Sequence, residues 1–166
     1  ALPERTPARQ PKRFLTGEAS PYYLFHPNVP ARVATVLPRV KVIVLLRNPV
    51  DRAYSHYQHE FDHGDEPLSF TEAIATEPGR LRGEEARLIA DPSYRSFAHQ
   101  HHSYLSRGIY IEQLERWNEY VPRERMLVLK SEDLYSQPAS TMMRVTRFLA
   151  LPDWNWDRFQ KHNALD

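Results

Sequence analysis

The chain has 166 residues, a formal net charge of +1 and no cysteine. This length fits one domain with its own core, and the balanced charge gives no argument for attraction to nucleic acid or to a membrane surface. The lack of cysteine excludes disulfides and thiol chemistry, and no apolar stretch approaches the roughly 20 residues that span a bilayer. Arginine is unusually abundant, with 18 residues against 4 lysines, and guanidinium groups suit phosphate and sulfate oxygens.

The first forty residues predict little regular structure. Residues 1–11 carry three prolines and no apolar period, which indicates a loop or tail. The expectations for the segments that follow are a short strand at 12–16, a turn-rich segment at 17–23 headed by Glu18, and a short helix at 31–37 that Pro38 ends.

The stretch from residue 41 to residue 59 predicts the centre of the fold. Residues 41–46 form a nearly continuous apolar run that is rich in β-branched residues, which favours a parallel strand buried on both faces. Asn48 and Pro49 end this strand, because proline cannot donate to a ladder but suits the first turn of a helix. The helix is predicted from about residue 50 to residue 62. Its sheet-facing stripe would comprise Val50, Ala53, Tyr54, Tyr57 and Phe61.

Three polar side chains surround the end of this strand. Arg47 follows the apolar run directly, and Ser55 and His59 are four residues apart on a different face of the helix from the apolar stripe. Open α/β sheets bind ligands at the carboxyl ends of their strands. These residues are therefore candidates for an anion site. The alternative is that Arg47 pairs with a surface carboxylate while Ser55 and His59 are ordinary surface groups.

The second half of the chain alternates between helical and apolar patterns. A capping-box pattern from Ser69 to Glu72 predicts a short helix through residue 75, ended by Pro78 and Gly79. Residues 80–92 are charged, which predicts a mobile or only briefly helical segment. The later elements are predicted as follows: a helix through residues 94–105 with Gly108 as its C-cap, a helix at 109–120, a buried strand at 126–129, an acidic loop at 131–133 and a last helix from Pro138. Strands separated by helices predict an α/β fold with parallel strands.

Two histidine clusters raise the question of a metal. His56, His59 and His63 have helical spacing, and a second group comprises His99, His101 and His102. Either group could recruit zinc, which would indicate a metal-dependent hydrolase. Neither carries the HExxH pattern, and no carboxylate is clearly placed to complete a site. The sequence therefore predicts no metal.

Residues 37–59 resemble the 3′-phosphate-binding segment of sulfotransferases, which transfer a sulfuryl group from 3′-phosphoadenosine 5′-phosphosulfate (PAPS) to an acceptor. The closest likeness is to the heparan-sulfate N- and O-sulfotransferase branch and its bacterial relatives. Other segments agree in order, and together the likeness covers roughly residues 14–153. Residues 17–23 resemble the segment around the catalytic glutamate of that branch. Residues 107–117 resemble the start of its mid-domain helix. Residues 131–134 and 148–152 resemble its late strand, loop and helix.

The resemblance implies a P-loop-like sulfotransferase fold with a central parallel sheet flanked by helices. It implies that Arg47 and Ser55 bind the 3′-phosphate, that Glu18 is the catalytic base, and that His59 lies near acceptor and cofactor. Arg52 would pair with Asp51 or Glu60. PAPS would be the donor and adenosine 3′,5′-bisphosphate (PAP) the product, without a metal.

Two departures from the family pattern limit this expectation. The glycine-rich loop with a lysine, which holds the 5′-phosphosulfate, and the late glycine-containing loop are both missing. Residues 1–166 are therefore expected to form one partial sulfotransferase domain that is incomplete at both ends. A chain of only these residues is expected to lack activity.

The predicted function is sulfuryl transfer to a hydroxyl or amine of a carbohydrate or small-molecule acceptor, without nucleic-acid partners or a membrane segment. One alternative is a catalytically inactive nucleotide-binding or scaffolding module of the same fold. Another is a relative of the P-loop kinases, whose phosphate loop is equally missing. The expected compartment is the bacterial cytoplasm, or the Golgi lumen for a eukaryotic protein. Acceptor identity and oligomeric state stay open.

Overall fold

The computed structural model describes residues 15–152, so the predicted tail at 1–11 lies outside the described residues. None of the helices in this part of the chain has the length and hydrophobicity to cross a bilayer. The mixture of helices with a parallel strand pair confirms the predicted α/β class. The elements are α1 (Val29–Val36), β1 (Val42–Leu46), α2 (Pro49–His63), α3 (Phe70–Arg80), α4 (Glu84–Ala90), α5 (Phe97–His101), α6 (Tyr110–Asn118), β2 (Met126–Lys130), α7 (Ser131–Ser136) and α8 (Pro138–Leu149).

The two strands pair in parallel, in register from Val42 opposite Met126 to Leu46 opposite Lys130. Because both strands run in the same direction, their carboxyl ends meet at one edge of the sheet. The turn after β1 and the first residues of α7 therefore lie side by side. This edge is where the sequence places the anion site.

The prediction that the first strand is buried on both faces is wrong for the described residues. Val44 in β1 and Leu129 in β2 are buried, but Ile43 and Leu45 are 40% and 49% exposed. Ile43 and Leu45 share one face because side chains alternate along a strand. No element within residues 15–152 covers that face of β1 fully.

Helix α2 begins and ends as the sequence predicts, within one residue at each end. Asn48 is its N-cap, and its side-chain oxygen accepts hydrogen bonds from the backbone N–H groups of Val50 (2.9 Å) and Asp51 (3.4 Å). Pro49 occupies the first helical position, where its missing N–H costs nothing. Gly64 ends the helix with φ of 82°, a left-handed conformation that glycine adopts without strain.

The predicted sheet-facing stripe of α2 is largely wrong. Ala53 is buried, but Val50, Tyr54 and Phe61 are more than 45% exposed. The helix instead packs against residues 103–108: the ring of His56 lies 5.1 Å from that of Tyr104, centroid to centroid. Its inward face therefore carries polar groups that find partners in this segment.

The structure corrects one prediction in the middle of the chain and confirms two others. The capping box is confirmed, but α3 continues through Pro78 to Arg80. Pro78 cannot donate the hydrogen bond to the residue four positions earlier, but the helix continues past it, and the N–H of Leu81 donates to the carbonyl of Glu77. The prediction of a brief helix within 80–92 is confirmed by α4.

The spacing at 94–105 yields only the five-residue α5, and Gly108 is not a left-handed C-cap. Gly108 instead ends a short 3₁₀ turn, Ser106–Gly108, without a positive φ. Close packing favours a glycine at this position. A Cβ added at residue 108 would sit 3.1 Å from Cβ of Pro49.

Two buried carboxylates fix the segment that leads to this turn. Glu77 accepts hydrogen bonds from the N–H groups of Leu105 (2.7 Å) and Ser106 (2.8 Å). Glu66 is 1% exposed, pairs with Arg80 and accepts a 2.9 Å hydrogen bond from the Tyr104 hydroxyl. Both carboxylates thus hold the backbone that packs against α2.

The ionisation of Glu66 reflects this pairing. Burial raises the pKa of the Glu66 carboxyl, but hydrogen bonds from Arg80, the Leu68 backbone and Tyr104 outweigh burial and lower that pKa to about 2. Glu66 is therefore an anion at neutral pH.

Two further local predictions are wrong. The predicted acidic loop at 131–133 is the first turn of α7, where Glu132 and Asp133 suit the positive end of the helix dipole. The part of the predicted strand at 12–16 that is described, Leu15 and Thr16, has no strand structure, and the rest of that prediction lies outside the described residues.

Candidate functional site

Arg47 lies at the carboxyl end of β1 with an exposed side chain. Its backbone carbonyl accepts a 2.9 Å hydrogen bond from the hydroxyl of Tyr110, the first residue of α6. The N–H of the next residue, Asn48, donates a 2.8 Å hydrogen bond to Oε1 of Glu132 in α7. Both partners are distant in sequence, so the turn after β1 is held by long-range contacts.

The guanidinium of Arg47 makes no hydrogen bond within residues 15–152, which leaves its donors available to a ligand. The hydrogen bond from the Asn48 N–H is the largest cause that lowers the pKa of Glu132. The backbone N–H of Glu132 itself also lowers this pKa, and the charge of Arg47 lowers it to a smaller extent. Glu132 is therefore an anion that feels the charge of Arg47. In the described chain, however, the two side chains do not approach within the 4.0 Å of an ion pair.

Ser55 and His59 lie on the exposed side of α2, one turn apart. Residues four apart on a helix are surface neighbours, so the predicted shared face is confirmed. The hydroxyl of Ser55 makes no hydrogen bond within the described part of the chain. The ring of His59 packs against that of His63 with centroids 4.1 Å apart, and His63 Nδ1 lies 2.7 Å from the carbonyl of His59.

Glu18 is exposed in irregular backbone that precedes the turn at 21–25. Its carboxylate makes no hydrogen bond among the described residues, and no contact there joins it to Arg47, Ser55 or His59. An exposed carboxylate with no partner is open to an approaching acceptor. Ser55 and His59 therefore share one side of α2 and Arg47 lies just before this helix, while no contact among the described residues joins Glu18 to them.

The segment that carries Glu18 is anchored by Tyr22. The Tyr22 hydroxyl lies 2.7 Å from Nδ1 of His99, and the His99 ring stacks on Phe25 with centroids 4.2 Å apart. Burial raises the pKa of Tyr22 to about 12, against the opposing charge of Arg107. Burial also lowers the pKa of His99 to about 4. At neutral pH this hydrogen bond therefore joins a protonated phenol and a neutral imidazole.

Arg107 joins this anchor to the rest of the fold. Its guanidinium lies 5.3 Å from the ring centroids of both Tyr22 and Phe25 and donates to the carbonyl of His99 at 3.3 Å. Burial and, to a smaller extent, the nearby charge of Arg52 lower its pKa to about 10. Arg52 itself donates to the carbonyl of Tyr104, so the prediction that it pairs with Asp51 or Glu60 is wrong.

The two predicted histidine clusters do not assemble as metal sites. Within residues 15–152, the potential metal ligands that lie within 4.8 Å of one another are Glu60, Asp65 and His101. Both carboxylate oxygens of the buried Glu60 already accept hydrogen bonds, from His56 Nε2 at 3.1 Å and from His101 Nδ1 at 2.9 Å. This carboxylate therefore serves as a hydrogen-bonding centre between two imidazoles.

A groove of about 590 Å³ lies elsewhere, between α1, α4 and α6. Its lining includes Arg32, Ile89, Arg116 and Tyr120 and contains none of the predicted site residues. We therefore place the candidate site at the end of β1 on chemical grounds, because Arg47 is an exposed cation there that makes no side-chain hydrogen bond among the described residues.

Sequence reasoning assigns no role to Tyr110, Glu132 or Arg107. All three lie within the segments that carry the family resemblance. That resemblance is the sequence signal that could have pointed to them. The hydrogen bonds described above for these residues join positions 8, 63 and 84 apart along the chain, and residue spacing alone does not predict such contacts.

The family model, the related proteins and the solved structure that match this chain agree with one another. Residues 11–165 match a family model described as the sulfotransferase domain. The bifunctional heparan sulfate N-deacetylase/N-sulfotransferase 2 of Homo sapiens is 34% identical over 148 residues, which are 85% of this chain and 15% of that protein. The corresponding enzyme 3 of Homo sapiens is 32% identical over 157 residues, which are 89% of this chain and 16% of that protein. The chain thus spans about one sixth of these relatives.

A solved structure agrees in fold. The crystal structure of a sulfotransferase from Alicyclobacillus acidocaldarius superposes with a TM-score of 0.67 at 30% sequence identity. The superposition covers 87% of this chain and 55% of that chain.

Proposed function

Because this chain belongs to the sulfotransferase family, we propose that it transfers a sulfuryl group from PAPS to a hydroxyl or amine of a carbohydrate acceptor. The names of its relatives, which are heparan sulfate N-sulfotransferases, support a glycan as the acceptor. The predicted compartments, the bacterial cytoplasm and the Golgi lumen, both stay predictions, since the relatives include animal proteins and a bacterial structure.

The observation that carries this proposal is the guanidinium of Arg47 at the carboxyl end of β1, which is unpaired within residues 15–152, together with the exposed hydroxyl of Ser55 on the helix that follows. A bidentate cation and a short hydroxyl donor are the groups that a phosphate monoester needs. The donor set therefore fits the 3′-phosphate of PAPS. When bound, PAPS would supply the sulfuryl group and a nucleotide as leaving group.

Glu18 and His59 are the proposed residues on the acceptor side. The Glu18 carboxylate accepts the proton that the hydroxyl or amine loses during attack on sulfur, and a positioned base typically contributes about 10²–10⁴-fold to the rate. The exposed imidazole of His59, one turn from Ser55, orients the acceptor. A catalytically inactive nucleotide-binding module is the alternative: it would bind nucleotide through Arg47 and Ser55 without turnover.

The first experiment is a titration of the intact protein with PAP. Arg47→Ala should weaken binding about 100-fold, because it removes charge-assisted hydrogen bonds worth about 3 kcal/mol. Arg39→Ala, at an exposed arginine eight residues earlier, is the matched control and should bind as the wild type does. The proposal is wrong if the wild type does not bind PAP or if Arg47→Ala binds equally well.

The second experiment separates catalysis from binding. Glu18→Gln keeps the size of the side chain but cannot take up a proton at neutral pH, so turnover should fall about 10²–10⁴-fold while PAP affinity is unchanged. Glu124→Gln, at an exposed carboxylate before β2, should leave both quantities unchanged. Full turnover in Glu18→Gln would exclude the base role, and a wild type that binds PAP without turnover would favour the inactive module.

A further inference from the structure

One peptide unit, between Arg47 and Asn48, is held at both of its polar groups. The Tyr110 hydroxyl donates to its carbonyl oxygen at 2.9 Å, and Oε1 of Glu132 accepts from its N–H at 2.8 Å. Because a peptide unit is planar, two hydrogen bonds to opposite edges fix its rotation. That rotation sets ψ of Arg47 and φ of Asn48. The peptide orientation therefore determines how the chain leaves β1 with Arg47 at its end.

Packing supports the same turn from a third direction. The 3₁₀ turn that ends at Gly108 lies so close to Pro49 that a Cβ at residue 108 would come within 3.1 Å of the proline ring. Two residues later, the chain supplies Tyr110. One segment thus holds both the carbonyl of Arg47 and the start of α2, while α7 holds the N–H of Asn48.

The position of Glu132 is unusual for a residue beside an anion site. It is an exposed carboxylate whose pKa is lowered chiefly by the Asn48 N–H and to a smaller extent by Arg47, so it is an anion at neutral pH that feels the charge of Arg47. Its hydrogen bond goes to the backbone and leaves the guanidinium unpaired within residues 15–152. The carboxylate thus orients the turn without occupying the donors of Arg47.

We propose that Glu132, together with Tyr110, is a positioning residue that holds Arg47 ready to bind the 3′-phosphate of the nucleotide. This inference rests on the proposed function. A cation whose backbone is already ordered loses less conformational freedom when it binds, so its ligand affinity is higher. Removing the hydrogen bond should therefore weaken recognition of the 3′-phosphate specifically.

The test compares two nucleotides on the intact protein: PAP, which carries the 3′-phosphate, and adenosine 5′-monophosphate, which lacks it. Glu132→Ala should lower PAP affinity about 10-fold and leave affinity for the monophosphate within about 2-fold, since one hydrogen bond to a charged group is lost. Glu132→Gln keeps an oxygen acceptor and should stay within about 3-fold of the wild type for PAP. Glu119→Ala, at an exposed glutamate at the end of α6, is the control.

Tyr110→Phe is the second variant, and it removes only a hydroxyl. It should weaken PAP about 3- to 5-fold with no loss for the monophosphate, while Tyr120→Phe, at an exposed tyrosine, should change neither. If Glu132→Ala shows no cooperative transition in thermal unfolding, this variant is not folded. Tyr110→Phe alone then tests the positioning role. An unchanged PAP affinity in Tyr110→Phe would then overturn the proposal.

A double-mutant cycle tests whether Glu132 acts through Arg47. In an Arg47→Ala background, Glu132→Ala should have less than about 2-fold further effect on PAP, because residues that act as one unit are not additive. Additive losses, equal losses for both nucleotides, or a Gln variant as weak as the Ala variant would each overturn the positioning role. If Arg47→Ala loses PAP but Glu132→Ala does not, only this inference fails. If the wild type does not prefer PAP to the monophosphate, the proposed function fails with it.

Discussion

Helix α2 presents two polar faces that differ in their partners. The exposed face carries Ser55 and His59, one turn apart, and the hydroxyl of Ser55 has no hydrogen-bond partner within residues 15–152. The inward face carries Arg52, His56 and Glu60, and each of these side chains is hydrogen-bonded across the fold or along the helix.

This difference shows how a polar residue can be assigned to function or to fold. Both faces carry a histidine, so residue type does not distinguish them. Burial does, because a buried polar group must be hydrogen-bonded by the protein while an exposed one is free to bind a ligand. We therefore expect changes on the inward face to alter stability and changes on the exposed face to alter binding.

The largest expected effect is a loss of stability in acid, which acts on the inward face of α2. Burial, together with the smaller effects of the charges of Arg107, Arg52, His101 and His59, lowers the pKa of His56 from 6.5 to about 3. The unfolded chain takes up this proton at higher pH than the folded chain. The free energy of unfolding contributed by His56 is therefore complete above pH 6.5 and is lost as pH falls towards 3, by an amount on the order of several kcal/mol.

Urea unfolding at a series of pH values measures this loss. His56→Gln should remove a part of the decline between pH 6.5 and 3, and Gln58→Ala, on the exposed side of the same helix, should retain all of it. An identical pH dependence in His56→Gln and the wild type would show that His56 does not couple protonation to folding.

Loss of the carboxylate between the two imidazoles should have the next largest effect. Glu60→Ala leaves His56 and His101 without their shared acceptor and should lower the free energy of unfolding by about 3 kcal/mol. Chemical denaturation measures this, again with Gln58→Ala as control. PAP affinity of the folded variant should stay within about 2-fold of the wild type, and a loss of binding at unchanged stability would reverse the assignment of the two faces.

The smallest effect on stability is expected on the exposed face. Ser55→Ala should change the free energy of unfolding by less than about 0.5 kcal/mol, since an unpaired surface hydroxyl contributes little. It should nevertheless weaken PAP about 10-fold, because a hydrogen bond to a charged phosphate is lost. Isothermal titration and denaturation of one preparation give both quantities, and unchanged PAP affinity would remove Ser55 from the proposed site.

Local sequence patterns predicted the elements around the site well. The Asn48–Pro49 signal fixed the start of α2, the Ser69–Glu72 pattern is a capping box, and both apolar runs pair as parallel strands. These features depend on residues within one turn or one strand, so short windows contain the necessary information. The predicted extent of a single partial domain, residues 1–166, stays a prediction.

Features that depend on distant partners could not be predicted in this way. Tyr54 and Phe61 have the spacing of a buried stripe but are exposed, because α2 turns its polar side towards residues 103–108. Gly108 has the position of a cap, yet its role is to admit Pro49, which lies 59 positions earlier in the chain. Spacing shows which residues share a face, but it does not show which face the rest of the fold covers.

The hydrogen bond from Asn48 to Glu132 connects residues 84 positions apart. Contacts of this range form only after a large loop has closed, which is a slow and costly event in folding. The proposed anion site therefore cannot exist in a partly folded chain that has formed only α2. In hydrogen–deuterium exchange, the Asn48 amide would report when the two strand ends have come together, and nucleotide binding would begin at that same stage of folding.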